Sequence, residues 1–379
     1  MQPHQRLYFM QFAFAITMGG MLTRLPDLQV KFGLTEGQLG LMLITMSLGV
    51  LCGITFLGRT VERLGARTGS FIAIFGASAL YALVPWMPSA LWVAPVLFCA
   101  GLLAGALEIL INVEADRHEA LLGRRIMSRV HGMWSFGFFV TALVAAGLRQ
   151  AEVSVAIHLA IALVVVVVSG VFILSKVENA PARVEDHGGQ THAFAFPTIG
   201  LLPLCLLGAA PLFVEGAGVD WSAIYMRDVF SVEPFIGGLS VTLFSLAIAI
   251  GRLSMDRVID RFGPQAVGRT LLLVATLGVV MVASAPHPLV ALLGFMLAGI
   301  GCSSVYPLAI SAAARRTDRP SAVNVAALSQ MTFVVFFAGP PLLGFLAEHF
   351  GIRTSYWVIV PVLAVALLLT GALAPGKRV

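Results

Sequence analysis

Two stretches of the chain share one pattern: Gly58-Arg59-Thr60-Val61-Glu62-Arg63-Leu64-Gly65-Ala66-Arg67 and, 198 residues later, Asp256-Arg257-Val258-Ile259-Asp260-Arg261-Phe262-Gly263-Pro264-Gln265. The matched positions are Arg59 with Arg257, Glu62 with Asp260, Arg63 with Arg261, and Gly65 with Gly263. The offset is about half of the 379-residue chain, and each copy stands between two apolar runs. The repeat therefore predicts an internal duplication with matching basic loops.

The composition of the chain predicts an integral membrane protein. Hydrophobic residues make up 58% of it and charged residues 11%, with a mean hydropathy of +0.93. This is less than half of the charge usual in a soluble globular protein. The net charge of +5 does not indicate nucleic-acid binding, because the basic residues fall in short segments between apolar runs. Such a distribution is typical of membrane topology.

Neither a metal site nor a bound cofactor is expected. The four cysteines all lie inside apolar runs and at no metal-ligand spacing, so we interpret them as small buried hydrophobes. They are Cys52, Cys99, Cys205 and Cys302. The sequence has no phosphate-binding loop, which disfavours direct drive by ATP. The buried polar residues form no nucleophile–base pair at a recognisable spacing, so we expect no enzyme activity.

Apolar runs long enough to cross a bilayer occur twelve times, in two groups of six. The first six lie near residues 7–26, 39–58, 69–88, 90–113, 130–148 and 153–175. The second six lie near residues 197–219, 235–255, 268–286, 288–313, 322–346 and 354–374. The polar, breaker-rich stretch between them predicts a linker. We thus expect a six-helix half at 1–176, a linker at 177–196 and a second six-helix half at 197–379.

The Lys and Arg residues predict the orientation in the membrane. If the N-terminus is cytoplasmic, the cytoplasmic segments hold 19 of the 24 basic residues, and this count includes Arg252, which lies near the end of the eighth apolar run. The positive-inside rule then places both termini in the cytoplasm.

Twelve helices, a linker between two halves, and a duplicated Gly-x-x-x-Asp/Glu-Arg-x-Gly pattern after the second helix of each half resemble the major facilitator superfamily over the whole chain. Two departures are Ala66, where the family usually has a basic residue, and Asp256, which replaces the first glycine of the second copy. The resemblance implies an all-α membrane fold and a gating role for the two duplicated stretches. The residues concerned are Gly58, Glu62, Arg63, Gly65, Asp260, Arg261 and Gly263. The alternative is that they only set topology and solvate the loops.

Shorter motifs are similar to particular groups within that superfamily. Glu108-Ile109-Leu110-Ile111-Asn112 and Ser303-Ser304-Val305-Tyr306-Pro307 look like motifs of the fucose and hexose proton symporters. Arg24-Leu25-Pro26-Asp27 and the stretch from Glu215 to Ser222 look like the YbjJ-like relatives of that group. The resemblance implies a monomer in the bacterial cytoplasmic (inner) membrane that takes a small solute, with protons as the coupling ion.

Only Glu108 and Glu215, of the 19 acidic residues, lie well inside apolar runs. A carboxyl group at membrane depth is by default a functional hypothesis. Gly101, Gly105, Glu108 and Asn112 share one helical face, where the small residues let a neighbouring helix or a solute approach, and we expect this face to line a cavity. Glu108 is the candidate for binding the coupled proton. The alternative is a protonated structural glutamate that is bonded to another helix.

Further candidates for contacting solute or protons lie near the ends of helices. Trp221, beside Asp220, either stacks on a sugar ring or anchors at the membrane interface. Arg24 either binds an anionic group or pairs with Asp27, Asp220 or Glu215. His131 either has a structural hydrogen bond or relays protons.

Gln330 and Tyr306 are candidates for contacting a hydroxyl-rich solute, with helix packing as the alternative for each.

The leading interpretation is a secondary transporter that works by alternating access and takes up a sugar-like or other small polar solute. Efflux of an amphipathic or toxic compound is the second candidate. A membrane sensor that binds solute without moving it is the third.

Overall fold

The computed structural model describes residues 2–123, 126–181 and 196–374, and the regular secondary structure of these residues is entirely helical, with no strand among them. The chain divides into two compact units, 1–191 and 192–379. The helices of the first unit are α1 Pro3–Leu22, α2 Leu25–Phe32, α3 Glu36–Phe56, α4 Gly58–Leu83, α5 Ala90–Leu122, α6 Met127–Gln150 and α7 Val155–Leu174. Most of the predicted linker lies outside the described residues.

The second unit is also built from helices. They are α8 Leu202–Gly216, α9 Ser222–Phe230, α10 Pro234–Phe262, α11 Pro264–Ser284, α12 Pro288–Cys302, α13 Val305–Ala314, α14 Ser321–Phe350, α15 Ile352–Trp357 and α16 Ile359–Leu368. A π-helical turn, Ala217–Trp221, joins α8 to α9. Short 3₁₀ turns follow α4 and α16, at Val84–Trp86 and Leu369–Leu373.

The predicted all-α membrane architecture is confirmed. Eleven helical segments in the described part of the chain are long and apolar enough to cross a membrane. The 20 residues of α1 are also long enough to cross a bilayer, because at 1.5 Å per residue they reach about 30 Å. Its first turns hold Gln5 and Arg6, which lower its mean hydropathy.

The span predicted at 197–219 lies in fact between Leu202 and Phe230. Pro203 occupies the first turn of α8, where its missing N–H leaves no bond unmade. The π-helical turn carries the helix on past Asp220 towards Phe230, so the charged residues at its far end do not stop it. The apolar run in the sequence ends where these charged residues begin, but the helix continues through them. The predicted span was therefore placed too early.

The fourth span also exceeds its prediction, since α5 runs 33 residues to Leu122. Gly123, at φ 62°, ends it in the left-handed conformation that glycine adopts without strain. The carboxylate of Glu119 then accepts hydrogen bonds from the backbone N–H of Ile126, at 2.5 Å, and of Met127, at 2.7 Å. It thereby caps the start of α6, where backbone donors have no intrahelical acceptor.

The two glycines that we expected to line a cavity, Gly101 and Gly105, instead lie where two helices pack closely together. A Cβ on Gly101 would lie 2.0 Å from the carbonyl oxygen of Met46, and one on Gly105 would lie 2.3 Å from that of Val50. Both carbonyl groups belong to α3, so the glycine part of the face is an interface between α3 and α5. The prediction of a cavity along the whole face is wrong for these two positions. Small residues serve this purpose in membranes, where helices associate by close contact.

The duplicated stretch is a joint between helices rather than a loop. Gly65 has φ 72° and ψ 169° inside α4, and Gly263 has φ 82° and ψ 156° between α10 and α11. Only glycine adopts this region of backbone space without strain. The residues before each glycine are helical, so the predicted basic loops are wrong as loops. The repeated glycine corresponds to the same backbone turn in both units.

Candidate functional site

A line of three hydrogen-bonded side chains crosses from α5 to α6 in the N-terminal unit. Asn112 Nδ2 donates to Glu108 Oε1 at 3.0 Å. His131 Nε2 lies 3.0 Å from Asn112 Oδ1. Because an amide oxygen only accepts, the hydrogen of this bond is on Nε2 of His131. The structure thus links a carboxyl group, an amide and an imidazole.

The positions of these residues follow from helix geometry. Glu108 and Asn112 are four residues apart, so they lie one turn apart on one face of α5. His131 lies in the second turn of α6 and reaches Asn112 from the neighbouring helix. All three side chains are half-buried. The described residues give Glu108 no salt-bridge partner and leave its Oε2 atom without a hydrogen bond.

The second deep carboxylate, Glu215, has a cation beside it. Arg252 Nη2 lies 3.1 Å from Glu215 Oε2 and 3.3 Å from Oε1. The side chains are 14% exposed for Glu215 and 22% for Arg252. Arg252 lies in α10, which continues to Phe262, and within the apolar segment Pro234–Met255 that is long enough to cross a membrane, so it does not belong in a count of loop residues. The hydropathy of the run could not reveal this, since a charge at the end of an apolar run is usual.

A backbone carbonyl group that has no partner within its own helix accepts a further hydrogen bond from Arg252. Proline has no N–H, and its ring clashes with the carbonyl group four residues earlier in a helix. Pro307 therefore removes the carbonyl oxygen of Ser303 from the helical pattern, and the chain breaks there between α12 and α13. That oxygen lies 3.4 Å from Arg252 Nε, which donates to it. The motif from Ser303 to Pro307 thus holds the arginine that pairs with Glu215.

Four other candidates lie elsewhere in the C-terminal unit. The Tyr306 hydroxyl donates to Ser329 Oγ at 3.3 Å, which joins α13 to α14. Gln330 is half-buried on α14, and Asp220 lies in the π-helical turn. Trp221 is only 2% exposed, so in this structure its ring is packed inside the unit. Both roles considered for it, stacking on a sugar ring and anchoring at the membrane interface, stay predictions.

Arg24 pairs with Asp27, as one of the two predicted alternatives has it. Arg24 Nε lies 2.6 Å from Asp27 Oδ2, and Nη2 donates to the carbonyl oxygen of Val153 at 2.6 Å. Arg149 Nε approaches the same carboxylate at 3.1 Å. Burial lowers the pKa of the Arg24 guanidinium, and the charge of Asp27 opposes that shift. The group stays charged, because arginine is not deprotonated in proteins.

The residues expected to gate the transporter line the two helix joints. Arg63, Asp260 and Arg261 are exposed, and the described residues offer Arg63 and Asp260 no ion-pair partner. The Glu62 side chain lies outside what the structure describes, while Gly58 begins α4. At the first joint, Asn179 Oδ1 accepts from the backbone N–H of Ala66 at 2.6 Å. The chain leading out of the N-terminal unit is therefore bonded to the duplicated segment.

Gln11 is a polar residue in the middle of the apolar run of α1 that was not among the candidates predicted from the sequence. Its side chain is 1% exposed, and neither amide atom has a hydrogen-bond partner among the described residues. A buried unpaired polar group is destabilising by about 1–3 kcal/mol. A single glutamine between phenylalanines and methionines was the signal in the sequence that could have drawn attention to it.

Gln11→Met, which keeps the length of the side chain, is expected to raise the midpoint of thermal unfolding of the purified protein. The substitution removes an amide without partners, worth about 1–3 kcal/mol. Thr17→Val on the same helix is the control, because the Thr17 hydroxyl donates to the carbonyl oxygen of Phe14 at 2.8 Å. Its midpoint should not rise. A midpoint for Gln11→Met below that of the wild type would contradict the prediction.

Comparison with known proteins places these features in a family context. The sequence model of the Major Facilitator Superfamily matches residues 204–378. An uncharacterised MFS-type transporter of Yersinia pestis is 26% identical over 383 residues, which cover 100% of this chain and 95% of that protein. The similarity to this relative thus extends over both units.

Two solved structures have the same fold. The D-xylose-proton symporter aligns with a TM-score of 0.75 and 14% identity, over 99% of this chain and 97% of that one. The Escherichia coli fucose:proton symporter, in its N162A form, aligns with a TM-score of 0.67 and 17% identity, over 98% of each chain. At these identities the likeness shows the fold alone.

Proposed function

This chain belongs to the major facilitator superfamily of membrane transporters, and we propose that it moves a small polar solute by alternating access, coupled to protons through Glu108. The observation that carries the proposal is the hydrogen-bonded line of Glu108, Asn112 and His131. No ATP-binding motif is present, so the energy comes from an ion gradient.

The contrast between the two deep carboxyl groups supports a proton as the coupling ion. Arg252 already balances the charge of Glu215. Glu108 has no described cation, so within the membrane a proton is what neutralises it. A carboxyl group with one oxygen held by Asn112 and the other without a bond is suited to bind a proton in one state and release it in another.

The same line supports a solute with several hydroxyl groups. A carboxylate accepts hydrogen bonds, an amide both donates and accepts, and a neutral imidazole does both as well. A few such groups in an otherwise apolar surrounding fix the orientation of a small ligand. The likeness to symporters named for D-xylose and fucose agrees with a sugar-like solute.

The remaining expectations form part of the proposal. We place the protein in the bacterial inner membrane, as a monomer with both termini in the cytoplasm. The excess of Lys and Arg in the cytoplasmic segments supports this orientation even when Arg252 is left out of the count. The two halves, 1–176 and 197–379, move during transport, and the paired helix joints act in gating. The matching backbone of Gly65 and Gly263 supports a common role for the joints.

The test is solute-induced pH change in vesicles of known orientation, with sugars, amino acids, organic acids and drugs. We expect a solute-specific proton flux in the wild type and a flux at the level of empty vesicles for Glu108→Gln, with solute binding retained. Glutamine keeps the hydrogen bond to the amide but carries no exchangeable acid proton.

Glu178→Gln is the matched control, because Glu178 is exposed and outside the membrane-spanning helices. Its proton flux should equal that of the wild type. An undiminished flux in Glu108→Gln would overturn the coupling role of Glu108 and leave it as a structural residue. A flux in the outward direction for amphipathic compounds alone would replace uptake by efflux.

A further inference from the structure

A cleft of about 340 Å³ opens at the end of the N-terminal unit where α1 leads into α2 and α6 leads into α7. Five of its nine lining residues are charged. The lining residues are Arg24, Asp27, Lys31, Arg149, Glu152, Val153, Ser154, Val155 and Ala156. None of them belongs to the line of Glu108, Asn112 and His131, so this cleft is separate from the proposed coupling site.

The guanidinium group of Arg24 is buried beside this cleft with unused hydrogen-bonding capacity. The residue is 3% exposed, and its Nη1 atom has no hydrogen-bond partner among the described residues. Its Nη2 atom donates to Val153, and its Nε atom faces Asp27 without hydrogen-bond geometry. Burying a cationic donor without an acceptor is costly. An acceptor that occupies the cleft would remove that penalty.

Positive charge exceeds negative charge at the same place. Arg24 and Arg149 share the single carboxylate of Asp27. Arg149 approaches it with Nε at 3.2 Å from Oδ1 and 3.1 Å from Oδ2. Lys31 also lines the cleft and donates to the carbonyl oxygen of Pro85, while Glu152 is the second acid. Three cations and two carboxylates leave one positive charge without compensation.

The start of α7 adds backbone donors to the lining. Ser154 precedes the helix, and its Oγ accepts from the N–H of Ile157 at 3.3 Å. Val155 and Ala156, the first two residues of α7, belong to the lining of the cleft. The first N–H groups of a helix have no intrahelical acceptor, and the helix dipole favours an anion there. The helix start and the buried arginine are independent features that favour the same ligand charge.

We propose that this cleft binds an oxyanion, a carboxylate or phosphate group, between the Arg24 guanidinium and the start of α7. Guanidinium groups bind such oxygens through charge-assisted hydrogen bonds, and a helix start complements them. The anion takes the acceptor position that Asp27 fills only in part. Its source is either a free anion in the aqueous phase or the phosphate of a lipid headgroup, which have this chemistry in common.

Calorimetric titration of the purified, delipidated full-length protein with sodium phosphate tests the site, with sodium chloride at matched ionic strength as the reference. We expect saturable phosphate binding in the wild type and at least about tenfold weaker binding in Arg24→Gln. Asp27→Asn removes a negative charge beside the ligand, so it should bind phosphate about tenfold more tightly. Arg227→Gln in the other unit, where the arginine pairs with exposed Asp228, should leave the affinity unchanged.

The expected increase in phosphate affinity of Asp27→Asn keeps the proposal testable if Arg24→Gln does not fold. A purely structural ion cluster predicts lower stability for Asp27→Asn and no gain in phosphate affinity. No phosphate binding in the wild type, or equal affinity in the wild type and Asp27→Asn, would overturn the proposal. None of these outcomes depends on proton flux through Glu108.

Native mass spectrometry before delipidation distinguishes the two sources. Anionic phospholipid that is retained by the wild type and lost from Arg24→Gln assigns the site to a headgroup. Saturable phosphate binding without any retained phospholipid assigns the site to a free anion.

Discussion

Arg252→Gln is expected to lower the stability of the protein by about 2–4 kcal/mol, because it leaves the Glu215 carboxylate without a cation inside a membrane-spanning helix. Removing one partner of a buried pair typically costs about 3–5 kcal/mol. Residual exposure of 14% and 22% for the two side chains reduces the figure here. The carbonyl oxygen of Ser303 also loses its donor. The readout is the midpoint of thermal unfolding of the purified protein.

Two further variants separate the ion pair from general effects of charge removal. Glu215→Gln with Arg252→Gln together should recover most of the stability, because two neutral amides leave no unpaired charge. Arg227→Gln should change stability by less than about 1 kcal/mol, because the side chains of Arg227 and Asp228 are 32% and 31% exposed and solvated pairs contribute little. A midpoint for Arg252→Gln that equals that of Arg227→Gln would show that the pair contributes no more than a surface salt bridge.

Gly65→Ala is expected to destabilise the protein more than Gly263→Ala, although both glycines have the same backbone conformation. Each substitution places a Cβ in a region of φ and ψ that costs about 1–3 kcal/mol for other residues. At Gly65 the new atom would also lie 2.9 Å from Asn179 Nδ2, while nothing lies within 4 Å at Gly263. Asn179 must then move, which strains its bond to Ala66.

Gly216→Ala is the matched control for these two substitutions. Gly216 is helical, with φ −59° and ψ −46°, and no atom lies within 4 Å of its Cβ position. Alanine is favoured over glycine in a helix by about 1 kcal/mol, so this variant should be as stable as the wild type or more so. Thermal midpoints in the order Gly216→Ala, Gly263→Ala, Gly65→Ala, from highest to lowest, are the expected result. A midpoint for Gly65→Ala at or above that of Gly263→Ala would contradict the role given to Asn179.

The sequence indicates which residues belong to the candidate site, but it does not indicate which of them contact each other across helices. Glu108 and Asn112 stand four residues apart in one helix, so their contact follows from helical periodicity. The contact of Asn112 with His131 depends on how α5 and α6 are rotated against each other. Arg252 lies 37 residues from Glu215 on another helix, so their contact depends on tertiary packing.

The sequence by itself determined that this is a multispanning helical membrane protein with a repeated glycine at two equivalent positions. Hydropathy acts on each contiguous segment independently, and a positive φ is a property of one residue, so both are readable along the chain. Tertiary structure alone decided that Trp221 is buried, that Gly101 and Gly105 pack against α3, and that Arg24 shares Asp27 with Arg149. These outcomes depend on the rotation and register of whole helices against one another, which no single segment encodes.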